Sequence, residues 1–478
     1  MSKDINRRDF IGLAGSSVGV GIFGNNPKSS KEADIGNIGS KGPVSEIQVL
    51  VEKTPFIDTH EHLPPESERV SNKDNRDFTP TPDIGLLFSH YANSDLQVAG
   101  LSSGDYNKLI SWELSPKDKW NLISPYYEKC RNTGYLLCVR ESLKALFGEE
   151  DLSEGNCEKI SEMIREGIQP GFYRRILRDV ANIEYVQINC LKSGVFRESE
   201  PASDLICFDI STVGIASSIR NLKSLNKFSG MEVTSLKEAH NAIEHIFEKF
   251  GPKAIAVKDQ SAYGRKLLYE RVKDEDVEPI FKKFVRKPSD LLPEELKLIQ
   301  DNLFRKCIQC ATEYKLPIKL HTGYFAGFNG MDLSRVRDNL CDLVPLIKDF
   351  PNTTFVLMHI AYPYQHELIA LCKHYRNVYA DMCWSWIIDP VSATLFLKEF
   401  LLTAPMHKIF TFGGDYTPVE LVPGHARIAR KGITLAITQL LSEGWITESE
   451  VPELLDRIIH RNASETFDLP RVLRAYGV

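Results

Sequence analysis

Short apolar runs alternate with amphipathic stretches along most of this chain. Residues 56–60, 183–189, 205–210, 253–258, 317–321, 354–359, 378–381 and 408–412 read as strands. Stretches with helical spacing lie between them, at 157–165, 171–180, 236–250, 291–315, 341–349, 365–375 and 395–402. Gly251-Pro252 marks the end of the 236–250 helix. Between the first two strands, residues 64–115 form a long polar insertion that reads as loop around Thr79-Pro80-Thr81-Pro82, and residues 112–148 read as helices. Three or more helices close the chain between 426 and 473. Strands separated by helices point to a parallel sheet, and eight of them point to closure. The expectation is an α/β chain folded as a (β/α)8 TIM barrel, with helical insertions after strand one and extra C-terminal helices. A doubly wound open sheet is the alternative. Against it, polar residues end several strands, and a barrel would gather these ends on one rim.

Composition bounds the chemistry. The chain has 478 residues, 42% hydrophobic and 26% charged, with a formal net charge of −6. That is globular composition without a basic face, so nucleic acid is not expected as a partner. No run is long and apolar enough for stable membrane insertion. The ten cysteines are scattered rather than framed as a disulfide scaffold, and Cys307-x-x-Cys310 falls in a helical stretch as a pair of buried thiols.

The first 44 residues read differently. Asn6-Arg7-Arg8-Asp9-Phe10-Ile11 resembles a twin-arginine export motif, and a weakly apolar run at 12–23 follows it. Residues 24–44, rich in Gly, Ser, Asn and Lys, read as a disordered linker. The expected organisation is therefore an export signal and linker over 1–44, then one barrel domain over 45–478. The motif implies the twin-arginine machinery as a partner and a periplasmic or secreted location.

The strand ends carry the candidate chemistry. Strand one ends in His60-Glu61-His62, and residues two apart on a strand share a face, so both imidazoles can enter one cavity. Strand four ends in Lys258-Asp259, strand five in His321, strand six in His359, and strand eight runs into Gly413-Gly414-Asp415. Each has an ordinary structural explanation taken singly; their shared position at the active rim of a barrel does not.

His-x-His on strand one, His on strands five and six and Asp on strand eight resemble the amidohydrolase superfamily. The match is closer to the amidohydrolase-related branch that includes uronate isomerase and the amidohydrolase half of nodulin/glutamine-synthetase-like fusion proteins. Leu316-Pro317-Ile318-Lys319-Leu320-His321-Thr322-Gly323 is similar to that branch's fifth strand, and Leu357-Met358-His359-Ile360-Ala361-Tyr362-Pro363-Tyr364 to its sixth. Ile255-Ala256-Val257-Lys258 with Ala262-Tyr263-Gly264-Arg265 is similar to its Lys/Tyr-Arg segment. The resemblance implies one divalent metal on His60, His62, His321 and Asp415, with zinc foremost and manganese suited to the same ligands. It implies that His359 orients or polarises the substrate and that Asp415 also shuttles a proton. A second metal is implied only if Lys258 is carboxylated; an unmodified Lys258 contacting substrate or water is the expectation. Tyr263, Arg265, Arg427 and Trp384 are candidate substrate-binding residues, the arginines as carboxylate partners and Trp384, with Trp386, as an apolar wall. The sequence departs from relatives that place Ser or Thr before the aspartate, since Gly413-Gly414 stand there.

The leading expectation is a metal-dependent hydrolase that uses activated water on a C–N or C–O bond of a small polar or carboxylated substrate. A uronate isomerase or a metal-dependent decarboxylase on the same scaffold is the alternative. A barrel that binds without catalysis is the rival from another class, and the complete ligand set argues against it. The chain's pattern is compatible with an oligomer.

Overall fold

A computed structural model describes residues 43–189 and 194–477; the expected export signal with Arg7 and Arg8, most of the linker, and Cys190 lie outside them. Eight parallel strands form the core: β1 (Phe56–Glu61), β2 (Ile183–Ile188), β3 (Ile206–Phe208, resuming after Asp209 as Ile210–Ser211), β4 (Val257–Asp259), β5 (Ile318–Leu320), β6 (Phe355–Leu357), β7 (Val378–Asp381) and β8 (Ile409–Phe410). Each pairs with its sequence neighbour, from Phe56 opposite Ile183 through to Asp381 opposite Phe410. The two halves of β3 join the β1–β3 and β4–β8 ladders, because the first pairs with β2 and the second with β4. The seam between β8 and β1 is bridged at the rim. Thr59 N–H donates to the Phe412 carbonyl (3.1 Å), Asp415 N–H to the His60 carbonyl (2.8 Å) and His62 N–H to the Tyr416 carbonyl (2.9 Å). The rings of Phe56 and Phe412 stack across the same seam at 4.6 Å. All eight expected strands are present, in the barrel arrangement.

The helices follow from local signals. The helix Leu236–Phe250 opens on a capping box in which Ser235 Oγ receives the Glu238 N–H and the Glu238 carboxylate receives the Ser235 N–H. Leu236, Ala239, Ile243, Ile246, Phe247 and Phe250 recur at helical spacing and are buried against the barrel. Burying each of the large ones contributes about 1.5–3 kcal/mol. Cys307 and Cys310 are buried thiols within the helix Pro293–Glu313, as expected.

The segment read as a polar, loop-like insertion is instead mostly helical. It contains Glu66–Asn72, Ile84–Phe88, Ala92–Val98 and Ser103–Ile110, and Ile84, Leu86, Leu87 and Phe88 are fully buried. A buried ion pair fastens it: Lys119 Nζ lies 2.7 Å from Asp83 Oδ2 and 2.6 Å from Thr81 Oγ1. Pro116–Cys130 and Gly134–Phe147 continue the layer, and the latter packs on the long C-terminal helix Val422–Ser442.

The barrel interior is not wholly apolar. Asp209, at the break in β3, turns its carboxylate to Lys319 Nζ on β5 at 2.6 Å. Lys319 also donates to the Thr59 carbonyl (2.8 Å) and to Gln187 Oε1 (3.0 Å). This fully buried cation therefore ties β1, β2, β3 and β5 together beneath the rim.

Candidate metal centre

The rim brings four of the expected residues to one point. His60 Nε2 lies 3.3 Å and His62 Nε2 3.1 Å from Asp415 Oδ1, while His359 Nε2 lies 4.0 Å from the other oxygen, Oδ2. His60 and His359 are fully buried and Asp415 nearly so. Two compact donor groups result, His60–His62–Asp415 and His359–Cys383–Asp415, with Asp415 common to both.

Backbone carbonyls fix the tautomers. A carbonyl can only accept, so His62 Nδ1, 2.9 Å from the Asn189 carbonyl, carries a hydrogen. His359 Nδ1, 3.0 Å from the Cys383 carbonyl, does too. In the neutral rings the Nε2 atoms are therefore lone-pair donors to an electrophile. Burial pushes His359 down to about 4 and, with the nearby Lys258 charge, takes His60 well below its usual range, which keeps these two rings neutral. Burial alone would raise the Asp415 carboxyl; a hydrogen or positive charge shared with Nε2 of His60 and His62 outweighs it and draws the group well below its usual range.

A divalent cation fits this arrangement. His60 Nδ1 and Nε2 and His359 Nε2 are buried without hydrogen-bond partners, and an unsatisfied buried polar atom is costly. A neutral His62 places a lone pair 3.1 Å from a carboxylate oxygen. Two such acceptors repel unless a cation or proton lies between them. Neutral imidazoles and a carboxylate are the donor set of zinc-class sites.

Asp415 is held in a left-handed conformation, φ 62°, which for a non-glycine residue is costly and clusters at functional sites. Three features impose it. Its N–H bonds the His60 carbonyl, its own carbonyl accepts from Tyr91 Oη at 2.8 Å, and Gly413-Gly414 run hard against the barrel. A Cβ on Gly414 would lie 1.8 Å from Glu61 Oε1, and one on Gly413 would lie 2.7 Å from Thr59 Oγ1 and 2.8 Å from Cys383 Cβ. The two glycines thus make room for protein side chains, leaving no space for the Ser or Thr side chain that relatives were expected to carry there. Glu61 in turn accepts from the Tyr416 N–H (2.5 Å), and burial raises its carboxyl, with that of Asp58 pushed up to about 7.

The other expected residues divide. His321 lies beside His359, tilted 60° to it (ring centroids 4.4 Å), and gives its Nε2 hydrogen to the Tyr324 carbonyl at 2.9 Å. It stands next to the two donor groups rather than within either, with Nδ1 uncommitted. Lys258 is fully buried, and its Nζ donates to the Asp259 carbonyl (3.3 Å); burial brings its pKa down to about 8. Tyr263 covers His321 at 4.6 Å and receives the Ala326 N–H. Trp384 lies 5.3 Å from His359 and is stacked on Tyr91 at 4.6 Å. Trp386 packs deeper, donating to the Thr411 carbonyl (2.8 Å).

The two arginines are engaged elsewhere. Arg265 pairs with Asp301 and lies over the Tyr269 ring at 4.4 Å. Arg427 pairs with Glu141 at 3.0 Å on the surface. A cavity of about 500 Å³ opens beside His62 and has two other guanidinium groups in its wall, those of Arg69 and Arg197. Arg69 is anchored by Glu420 (2.7 Å), and Arg197 by Glu200 (3.2 Å) and the Leu63 carbonyl. Neither stood in a motif, and neither did Asn189, Tyr91 or Cys383, which reach the centre from three separate loops.

Comparison with known proteins agrees with this geometry. Residues 283–469 match the amidohydrolase family model. The chain is 31% identical over 229 residues to Protein fluG of Emericella nidulans, a match covering 46% of this chain but only 26% of that protein. It is 20% identical over 473 residues to uronate isomerase of Xanthomonas euvesicatoria pv. vesicatoria, covering 90% of this chain and 96% of that one. Among solved structures it resembles glucuronate isomerase from Caulobacter crescentus, with a TM-score of 0.71 at 17% identity over 92% of this chain and 97% of that one. A protein described as a metal-dependent hydrolase from Lactobacillus casei gives 0.55 at 16% identity, over 90% and 99%. At these identities the solved structures speak for the barrel fold.

Proposed function

We propose that the chain is a metal-dependent hydrolase of the amidohydrolase superfamily, acting on a C–N or C–O bond of a small, polar or carboxylated substrate; the family model's match to residues 283–469 supports that membership. The observation that carries this reading is the Asp415 carboxylate, buried and shared among the Nε2 atoms of His60, His62 and His359. His60, His62 and Asp415, with His321 beside them, would hold the cation, and zinc suits the donors best. Such a cation supplies Lewis acidity, polarising a carbonyl and easing the ionisation of water.

The protein does the rest. Asp415 accepts the proton of the attacking water and returns it to the leaving group; such assistance typically contributes about 10²–10⁴-fold. Its left-handed backbone, clamped by Tyr91 and β1, fixes the direction of that carboxylate. His359 acts through a lone pair. In the neutral ring its Nδ1 hydrogen is committed to the Cys383 carbonyl, so it orients the substrate without donating to it. Trp384, Tyr91 and Tyr135 form a stacked wall that keeps bulk water from one side. The cavity beside His62 receives the substrate, and Arg69 and Arg197 favour a carboxylated one.

Isomerisation of a uronate is the second reading. It is favoured by the extent of similarity to uronate isomerases, which takes in the insertion as well as the barrel. One experiment separates the two: metal-reconstituted protein is offered uronates, N-acyl compounds and lactones in ¹⁸O-water. A hydrolase places solvent oxygen in an acyl product and leaves uronates unchanged. Conversion of a uronate to its ketose isomer, with no hydrolysis in the panel, overturns the hydrolase reading. Export to the periplasm through the twin-arginine route is part of the same proposal, supported by Arg7-Arg8 ahead of an apolar run.

A further inference from the structure

One member of the second donor group at the rim, Cys383, has no place in the chemistry above. The group lies on the far side of Asp415, and its members are His359, Cys383 and the carboxylate itself. Cys383 sits just beyond β7 and is fully buried. Its backbone is tied on both sides. The N–H donates to Asp381 Oδ1 (2.9 Å), and the carbonyl accepts the Nδ1 hydrogen of His359 (3.0 Å). One residue thus supplies a sulfur to the cluster and also sets the tautomer of the imidazole beside it. That tautomer leaves His359 Nε2 as a lone pair, buried and without a partner. The Sγ atom packs against Gly413, which fixes the sulfur relative to the strand that carries Asp415.

The carboxylate divides between the two groups by oxygen. Oδ1 faces His60 and His62 at 3.3 and 3.1 Å, and Oδ2 faces His359 at 4.0 Å. A carboxylate presenting one oxygen to each of two donor groups is the arrangement that bridges paired cations, which sit about 3.5–4 Å apart in two-metal sites. We propose that His359 and Cys383 hold a second divalent cation of the zinc class, bridged to the first by Asp415, with Cys383 ligating as thiolate. No carboxylated Lys258 is needed. A soft sulfur donor selects zinc-like ions over magnesium or calcium. Cation binding releases the thiol proton to solvent and forms the sulfur–metal bond, so oxidation states do not change.

This inference deepens the proposed metal centre and rests on its first site, so the test reads the two sites separately. Metal-free full-length protein is titrated with Co²⁺, following bound equivalents by equilibrium dialysis and the thiolate-to-cobalt charge-transfer band in the near ultraviolet. The wild type is expected to bind two equivalents and to show the band. Cys383→Ser should bind one equivalent and lose the band. His359→Asn, which keeps the thiol, should also lose the second equivalent, and this guards against misfolding of the serine variant. His60→Ala should lose the first equivalent while the band persists at higher Co²⁺. Absence of the band in the wild type, or a band that survives in Cys383→Ser, overturns the second site. So does a second equivalent lost in Lys258→Ala but kept in Cys383→Ser. Full occupancy in His60→Ala overturns the first site instead.

Discussion

Replacing Gly414 with alanine tests whether close packing aims Asp415. The new Cβ would sit 1.8 Å from Glu61 Oε1, where ordinary contact begins at 3.4 Å. Something must therefore move by 3.4 − 1.8 = 1.6 Å. If Glu61 moves, its bond with the Tyr416 N–H is lost, leaving a buried donor unsatisfied at a cost of about 1–3 kcal/mol. If the backbone moves, Asp415 is displaced by a distance at which catalytic geometry typically loses about 10²-fold. Both outcomes are measurable before any substrate is known. Gly414→Ala should lower bound divalent metal, read by elemental analysis after dialysis, and shift the urea midpoint down by an amount equivalent to about 1–3 kcal/mol. Gly104→Ala is the control, because its Cβ would meet only Ser102 Oγ at 3.8 Å; it should stay within about 0.5 kcal/mol of the parent. Gly414→Ala protein with parental metal content and parental stability would refute the idea that Glu61 and Gly414 set the carboxylate's position.

Three further outcomes are expected. Asp415→Asn keeps the size and one oxygen donor but cannot accept a proton, so it should retain much of its metal and lose about 10²–10⁴-fold in turnover; a metal-loaded variant within a few-fold of the parent removes the proton-transfer role. Lys119→Met leaves Asp83 buried without its cation and should cost about 3–5 kcal/mol in urea unfolding, whereas Lys119→Met with Asp83→Asn should recover part of that loss. Replacing Arg7 and Arg8 with lysine should leave the precursor inside the cell in fractionation assays, and unchanged periplasmic delivery would exclude the twin-arginine route.

The barrel was legible because its strands are short, mostly apolar runs and most of them are followed by a helix with its own periodicity. The histidines and Asp415 were legible because strand ends in such a barrel converge. What escaped has identifiable reasons. The insertion at 64–115 reads as polar because its helices are only five to eight residues long and bury few side chains each, so no periodic signal builds up. Cys383 carries no spacing pattern, and only the turn after β7 brings its sulfur to Asp415. Arg265 and Arg427 were plausible anion binders by chemistry alone, but Asp301 and Glu141 are placed by helices that sequence does not align with them. Gly413-Gly414 make room for Glu61, Thr59 and Cys383, and which groups meet them depends on the seam between β8 and β1.

Tyr91 belongs to the insertion after β1, yet its hydroxyl holds the carbonyl of Asp415 and its ring stacks on both Trp384 and Tyr135. The insertion is therefore not a removable cover on a finished enzyme. Grafting the insertion of another barrel in its place, as loop-exchange engineering would, takes away one wall of the reaction chamber and a tether on its acid–base group together. Any exchange that preserves activity would have to transfer Tyr91 and Tyr135 as a unit and keep Trp384 to receive them. Substrate range and catalytic competence are in this respect written into the same stretch of chain, and drift in one is constrained by the other.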